Sequence, residues 1–343
     1  MATYQQQQER HTLLAVEFTA TLPDVWFESS EEQLVTVTID GETVFSETLF
    51  PSGTHIKLED LCDMVEPYAY QRQTVQLVVT CGSASQSAQV IYCRCDFGDE
   101  TAAHYIENHF LSILQGTKLT SAGRLELLAV QGSDAASCVA TYSDGTTRTF
   151  SGLGAWLQRT AFTIYDVSPD LFVTANKTLI GYTITCGSRT QEYEMDLSQP
   201  DCAPILIFTN SFGIQELAYC TGTHKVDPSY KRSAAYIGRI QKNYRIEETR
   251  AFKADTGPLT VAMANWWDDV FRSEDVQVCN FYNGEVQPGK QLLITDSKSV
   301  YSNDDSELPR FTFTYQYAQR NHNVVQLYRE GRIFDNTFDN TFN

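Results

Sequence analysis

No stretch of this sequence is apolar for long enough to cross a bilayer as a helix. Its longest apolar runs are strand-sized, far short of the roughly 20 residues that a membrane helix needs. The start, Met1-Ala2-Thr3-Tyr4 followed by four glutamines, lacks the basic and apolar stretches of a secretory signal. These absences predict a chain that folds where it is made, without membrane insertion. Basic residues are scarce as well: 25 Lys and Arg against 43 Asp and Glu leave a net charge of −18. A surface so acidic repels nucleic acid and anionic membranes over most of its extent.

Matched cysteine pairs are missing. The nine cysteines are odd in number and scattered. Several sit in apolar strand contexts, such as Val78-Val79-Thr80-Cys81 and Val276-Gln277-Val278-Cys279. They read as reduced core thiols rather than a disulfide framework. Cys93-x-Cys95 is not a zinc spacing. His104-x-x-Glu107-x-His109 places its histidines five apart rather than four, about 140° round a helix, so it reads as a solvated helix face.

Catalytic signatures are also wanting. Asp96-Phe97-Gly98 stands without the other parts of a kinase, and Gly152-x-Gly154 lacks the third glycine of a dinucleotide fingerprint. There is no nucleophile elbow and no phosphate loop. The acidic run Asn303-Asp304-Asp305-Ser306-Glu307 lacks the alternating oxygens of a calcium loop. No catalytic residue, metal or cofactor is assigned, and the chain is expected not to be an enzyme. A glycan-active hydrolase stays open only because paired carboxylates need not be neighbours in sequence.

What the sequence does have is a repeat. Leu13-Leu14-Ala15-Val16 returns as Leu127-Leu128-Ala129-Val130, Asp40-Gly41 as Asp144-Gly145, and Thr80-Cys81-Gly82-Ser83 as Thr185-Cys186-Gly187-Ser188. From the aspartate to the cysteine is 41 positions in the first copy and 42 in the second. Ordered landmarks at matched spacing indicate duplication, and superposition is expected to place Asp40 on Asp144 and Cys81 on Cys186. Leu34–Ile39 alternates and is β-branched, then runs into Asp40-Gly41, a hairpin turn signal. The predicted fold is mainly β: tandem β-sandwich-like domains, a duplicated N-terminal module and a distinct C-terminal β domain. The expected segments are 10–97 for the first copy, 98–119 for a helical linker (its helix over Thr101–Leu114), 120–202 for the second copy, 203–328 for the third domain and 329–343 for a C-terminal arm.

Three features of the third region nominate interaction residues. Between His224 and Lys253 lie eight cations against three acids, with tyrosines interleaved. Given the acidity elsewhere, this segment is expected to dock on an acidic protein face rather than on nucleic acid, with Arg239, Lys242 and Arg245 as contacts. Trp266-Trp267 beside Asp268-Asp269, on a short helix over Asn265–Arg272, would suit a sugar-stacking platform. Phe334, Phe338 and Phe342 recur every four residues in a polar tail, which fits anchors of an arm that docks into a neighbour or packs back on its own domain.

Phe208-Thr209-Asn210-Ser211-Phe212-Gly213-Ile214-Gln215-Glu216, Ser302-Asn303-Asp304-Asp305-Ser306-Glu307-Leu308-Pro309-Arg310-Phe311 and the Phe-Asp-Asn-Thr ending resemble uncharacterised prophage-encoded proteins of gut bacteria, of the virion tail and baseplate region. The resemblance covers roughly residues 204–343. It implies a non-catalytic virion structural protein of tail-tip, baseplate or fibre-adaptor type, made in the bacterial cytoplasm and carried in the virion. Its partners would be other virion subunits, in a homo-oligomer or ring. The alternative is a carbohydrate-binding, adhesin-like β-sandwich protein with a cell-surface glycan as ligand.

Overall fold

The computed structural model describes residues 10–282, 285–298 and 308–318. Of the described residues, 51% lie in strands and 13% in helices, so the architecture is mainly β and built from several sheets. The first module runs β1 (Val16–Phe18), β2 (Val25–Glu28), β3 (Gln33–Ile39), β4 (Glu42–Leu49), β5 (His55–Leu58), α1 (Leu61–Arg72), β6 (Thr74–Cys81) and β7 (Ala84–Ile91). Five strands form one sheet in the order β1-β7-β6-β3-β4, and β2 pairs with β5 in a second. Strand alternation explains the packing. Val35, Val37 and Ile39 point inward with Leu77 and Val79, all fully buried, while Thr36 on the outer face meets Thr80 of the neighbouring strand. Each such aliphatic side chain contributes about 1.5–3 kcal/mol by leaving water. Val25, Phe27, Ile56 and Leu58 of the small sheet, and Leu61, Val65 and Ala69 of α1, close the same core.

The second module begins after α2 (Ala102–Asn108) and runs β8 (Lys118–Thr120), β9 (Leu127–Gln131), β10 (Ala136–Tyr142), β11 (Thr147–Ser151), β12 (Ala155–Gln158), β13 (Phe162–Asp166), β14 (Leu179–Cys186) and β15 (Arg189–Met195). Its large sheet is ordered β11-β10-β14-β15-β8, facing a three-stranded sheet β12-β13-β9. Read from the other edge, the large sheets are the same. In both, the first strand pairs in parallel with the last, Val16 opposite Gln89 and Lys118 opposite Tyr193. Val35 lies opposite Cys81, and Ala136 opposite Cys186.

That register corrects two of the expected equivalences. With Cys81 on Cys186, Asp40 falls on Thr141, because Ile39 and Ala140 sit four positions from the respective anchors. The second hairpin is longer, so its Asp-Gly turns three residues further out. The turns differ too: Asp40 and Gly41 both have positive φ in a two-residue loop, whereas only Gly145 does in the second. The repeated Leu-Leu-Ala-Val is a coincidence. Leu127–Val130 lies in β9, which holds the place of β2, whereas Val16 opens β1, whose counterpart is β8.

The connecting segment is less helical than its apolar spacing predicts. The helix stops at Asn108. Phe110, Leu111 and Leu114 then enter three different cores instead of lining one helix face. Because the chain leaves the helix at His109, the 140° separation of the two histidines does not hold: His104 Nδ1 and His109 Nε2 lie 2.6 and 3.4 Å from the same Glu100 oxygen.

The third unit consists of β16 (Ile205–Thr209), β17 (Gln215–Tyr219), β18 (Lys225–Ile237), β19 (Ile240–Asp255), α3 (Val261–Arg272), β20 (Val276–Tyr282), β21 (Glu285–Lys298) and β22 (Thr312–Tyr317). Seven strands form one sheet in the order β17-β16-β20-β21-β22-β19-β18. Helix α3 starts at the cap Thr260, whose hydroxyl accepts from Met263 N at 3.1 Å. It lays Met263, Ala264, Trp266, Trp267 and Val270 against Phe208, Phe252, Phe313 and Tyr315.

Candidate functional site

The basic segment found in the sequence is a long two-stranded ribbon. β18 is the terminal strand of its sheet and pairs with β19 along its whole length, from Lys225 opposite Lys253 to Ile237 opposite Ile240. Gly238 and Arg239 both take positive φ and make the two-residue turn at the tip. β22 joins β19 only at Phe252–Asp255, so among the described residues the outer part of the ribbon has no third strand. At about 3.4 Å per residue, the span from Asp227 to the tip is roughly 35 Å. The root is fixed by His224, stacked on Phe252 with ring centroids 5.9 Å apart and bonded through Nε2 to the Tyr315 hydroxyl at 2.9 Å. Burial lowers the pKa of that imidazole.

The ribbon exposes apolar and cationic side chains together. Tyr236 is 77% exposed, Tyr244 64%, Ile240 60%, Ile246 47% and Tyr230 44%, all between positions 230 and 246. Cross-strand register puts Tyr236 on the same face as Arg232 and Ile246, and Lys242 on the other with Lys231 and Arg245. Arg245 is already ion-paired with Glu247, and Arg250 with Glu248. Arg239 and Lys242 have no ion-pair partner among the described residues. Of the three expected docking cations, these two offer an uncompensated charge and Arg245 does not. The signal that could have revealed the ribbon is Tyr-Ile-Gly-Arg-Ile at 236–240, a glycine-bearing pair between apolar flanks.

The expected sugar platform is overturned. Trp266 and Trp267 are 1% and 0% exposed, and both face the sheet. No sugar ring can stack there. Trp266 instead belongs to a buried polar network that joins the second module to the third unit. Its Nε1 donates to Glu216 Oε2 at 2.8 Å, and Asn210 Nδ2 donates to Glu216 Oε1 at 2.5 Å. Lys118 Nζ lies 4.7 Å over the Trp266 ring and 2.7 Å from Glu126 Oε2. Asp269 accepts from Ser211 N at 2.9 Å and from the Ser211 hydroxyl. Burial pushes the carboxyls of Glu216 and Asp269 above their ordinary values, and Lys118 works against that shift at Glu216. Sequence reasoning could not find this cluster, whose members lie as much as 151 positions apart, from Lys118 to Asp269.

The remaining candidates are quickly placed. All nine cysteines are free. Cys95 is half-buried, and a hydrogen bond from Cys93 lowers its thiol to about 7 against the opposing effect of burial. Asp96-Phe97-Gly98 is a turn, with Gly98 N donating to Asp96 Oδ1 at 2.8 Å. Among the described residues no group of three or more His, Cys, Asp or Glu side chains could hold a metal ion. No helix among them is long and apolar enough to cross a membrane. Phe334, Phe338 and Phe342, and the acidic run at 303–307, lie outside the described residues.

No protein-family model matches the chain, and no curated protein matches it. Among solved structures, the Bacteroides ovatus mixed-linkage glucan utilization locus protein SGBP-B, in complex with a mixed-linkage heptasaccharide, aligns with 89% of this chain and 74% of its own at 10% identity and a TM-score of 0.16. A tandem from titin aligns with 89% of this chain and 87% of its own, also at 10% identity and a TM-score of 0.16. Likenesses this slight carry no argument about function.

Proposed function

We propose that this chain is a non-catalytic structural protein of a multi-subunit assembly, which it enters by docking its basic ribbon on an acidic protein surface. The observation that carries this reading is the ribbon tip. Tyr236, Ile240 and Tyr244 stand in water beside the uncompensated Arg239 and Lys242. Large apolar side chains held out on a strand pair without cover are unfavourable alone and mark contact surfaces. The rigid aromatic rings supply area, and the cations supply steering and orientation. A nucleic-acid partner is disfavoured, because the rest of the chain carries 17 cations against 40 acids and would repel the phosphates. Following the resemblance of residues 204–343, the assembly is a phage or prophage virion, with this chain in its tail-tip, baseplate or fibre-adaptor region.

The test is incorporation. Particles purified from a lysogen should contain the wild-type chain, detected by mass spectrometry. The double variant Arg239→Glu/Lys242→Glu should fold normally and be left out of them. Absence of the wild-type chain from particles refutes the virion assignment. Tight, salt-sensitive binding of the isolated chain to random-sequence DNA refutes the protein-docking reading.

A further inference from the structure

We infer that the ribbon's partner is a second copy of this chain, and that its receptor is the acidic outer edge of the first module, strand β4 with Phe50 and the turn before β3. This rests on the docking reading above and names its occupant. Charge separates the modules sharply. Residues 10–97 carry 13 acids against 4 cations, residues 120–202 carry 9 against 5, and the ribbon segment 224–253 carries 3 against 8. The ribbon is therefore drawn to the first module more than to the second.

Within that module the receptor is set by the free edge. β4 is the terminal strand of its sheet and β18 the terminal strand of the other, so among the described residues each has a row of backbone groups with no strand beside it. Two such edges can join by strand addition. Side chains around the β4 edge match those of the ribbon. Phe50 is 74% exposed and Leu34 53%, apolar counterparts for Tyr236 and Ile240. Leu49 lies opposite Gln33, which places Glu31 and Glu32 close to the end of β4, and Glu47 lies on the strand itself. All three are exposed, and none has an ion-pair partner among the described residues.

The duplication supplies an internal control. The strand of the second module equivalent to β4 is β11, Thr147–Ser151, also terminal in its sheet. It carries Arg148 and no acid, so it repels what β4 attracts. Among the described residues nothing covers the ribbon tip or the β4 edge, as the exposures of Tyr236 and Phe50 show. The two therefore meet between molecules. Because ribbon and edge are different surfaces, the contact is head to tail and propagates into a ring or a filament.

Sedimentation velocity at low salt tests this with two charge-reversed chains. One carries Arg239→Glu/Lys242→Glu, the other Glu31→Lys/Glu32→Lys/Glu47→Lys. All five positions are exposed, so melting temperature and circular dichroism should match the wild type. The wild type should self-associate with increasing concentration and disperse at high salt. Each variant alone should be monomeric, its self-association weakened by roughly a hundredfold or more through like-charge contact. Mixing the two restores opposite charge at every contact, so the mixture should associate again. A wild type that stays monomeric at its solubility limit, or association that survives both reversals, overturns the inference. If the ribbon-reversed chain is excluded from particles while the wild type is monomeric alone, docking stands and the second-copy partner falls. If ribbon reversal changes neither self-association nor incorporation, both readings fall.

Discussion

Adjacent tryptophans of equal burial should respond differently to the same substitution. Trp266 and Trp267 are both below 2% exposed, but Trp266 Nε1 serves the buried Glu216 carboxylate at 2.8 Å. Trp267 Nε1 is buried with no hydrogen-bond partner among the described residues. Phenylalanine at either position keeps an aromatic ring against the sheet and leaves a comparable void. Only Trp266→Phe takes a donor from a buried carboxylate, which adds about 1–3 kcal/mol. Trp266→Phe should therefore be the less stable of the two by about that amount. Trp266→Ala should cost more, about 3–5 kcal/mol for the cavity before the orphaned acceptor is counted. Urea or guanidinium unfolding measures these differences as shifts in midpoint at unchanged slope.

The sign of the pH dependence follows from burial. The folded Glu216 carboxyl lies above its ordinary value of 4.5. Its stability contribution is present below that value and is lost as pH rises through the folded pKa. Removing the Trp266 donor raises the folded pKa further. The gap between the two phenylalanine variants should therefore widen as pH rises. Equal stabilities for the two at neutral pH would refute the assigned network. So would a Trp266→Ala chain of normal stability that had lost glycan binding, because that is the behaviour of an exposed platform.

Three further outcomes are expected. Replacing residues 231–247 by Asn-Gly, so that the ribbon turns at Tyr230 and Glu248, should shift global stability by less than about 1 kcal/mol. None of the side chains described in that stretch is buried, and a free strand pair contributes little on its own; a loss seen by calorimetry of several times that size would make the ribbon part of the core. Lys118→Met should cost about 3–5 kcal/mol in denaturant unfolding, since it leaves Glu126, 1% exposed, as an unpaired buried charge. Cys95 should be the first cysteine alkylated by iodoacetamide, with a pH midpoint of about 7, while Cys138 and Cys279, pushed by burial to about 12, stay protected until unfolding; peptide mapping over a pH series reads this directly.

Some of this structure was legible because it is local. Leu34–Ile39, Thr74–Cys81 and Leu179–Cys186 read as strands from alternation and β-branching, and the strands form close to where the pattern ends. Helix α1 was not legible: Pro67 lies inside it, and Asp63, Glu66 and Tyr70 interrupt its apolar face. Of the ribbon, Asn243–Phe252 reads as a strand, and the rest was visible only as a concentration of charge. Pro228 and the run of Lys and Arg hide the strand pattern that pairing with β19 supports. The tryptophan pair misled for a related reason. Trp-Trp-Asp-Asp has the composition of a sugar platform, yet on α3 both rings and Asp269 turn inward, and only packing against a sheet made of distant segments decides that.

The sequence by itself determined the mainly β class, the presence of a repeat and the place where positive charge gathers. These follow from periodicity, turn chemistry and composition, which act over a few residues or are simple sums. The tertiary structure alone decided which Asp-Gly turns are equivalent, which tryptophans are hidden and which strands are left as edges. Each of those depends on what a residue meets from elsewhere in the chain. Burial is shared between segments hundreds of positions apart, and a strand is an edge only because no other strand comes to lie beside it.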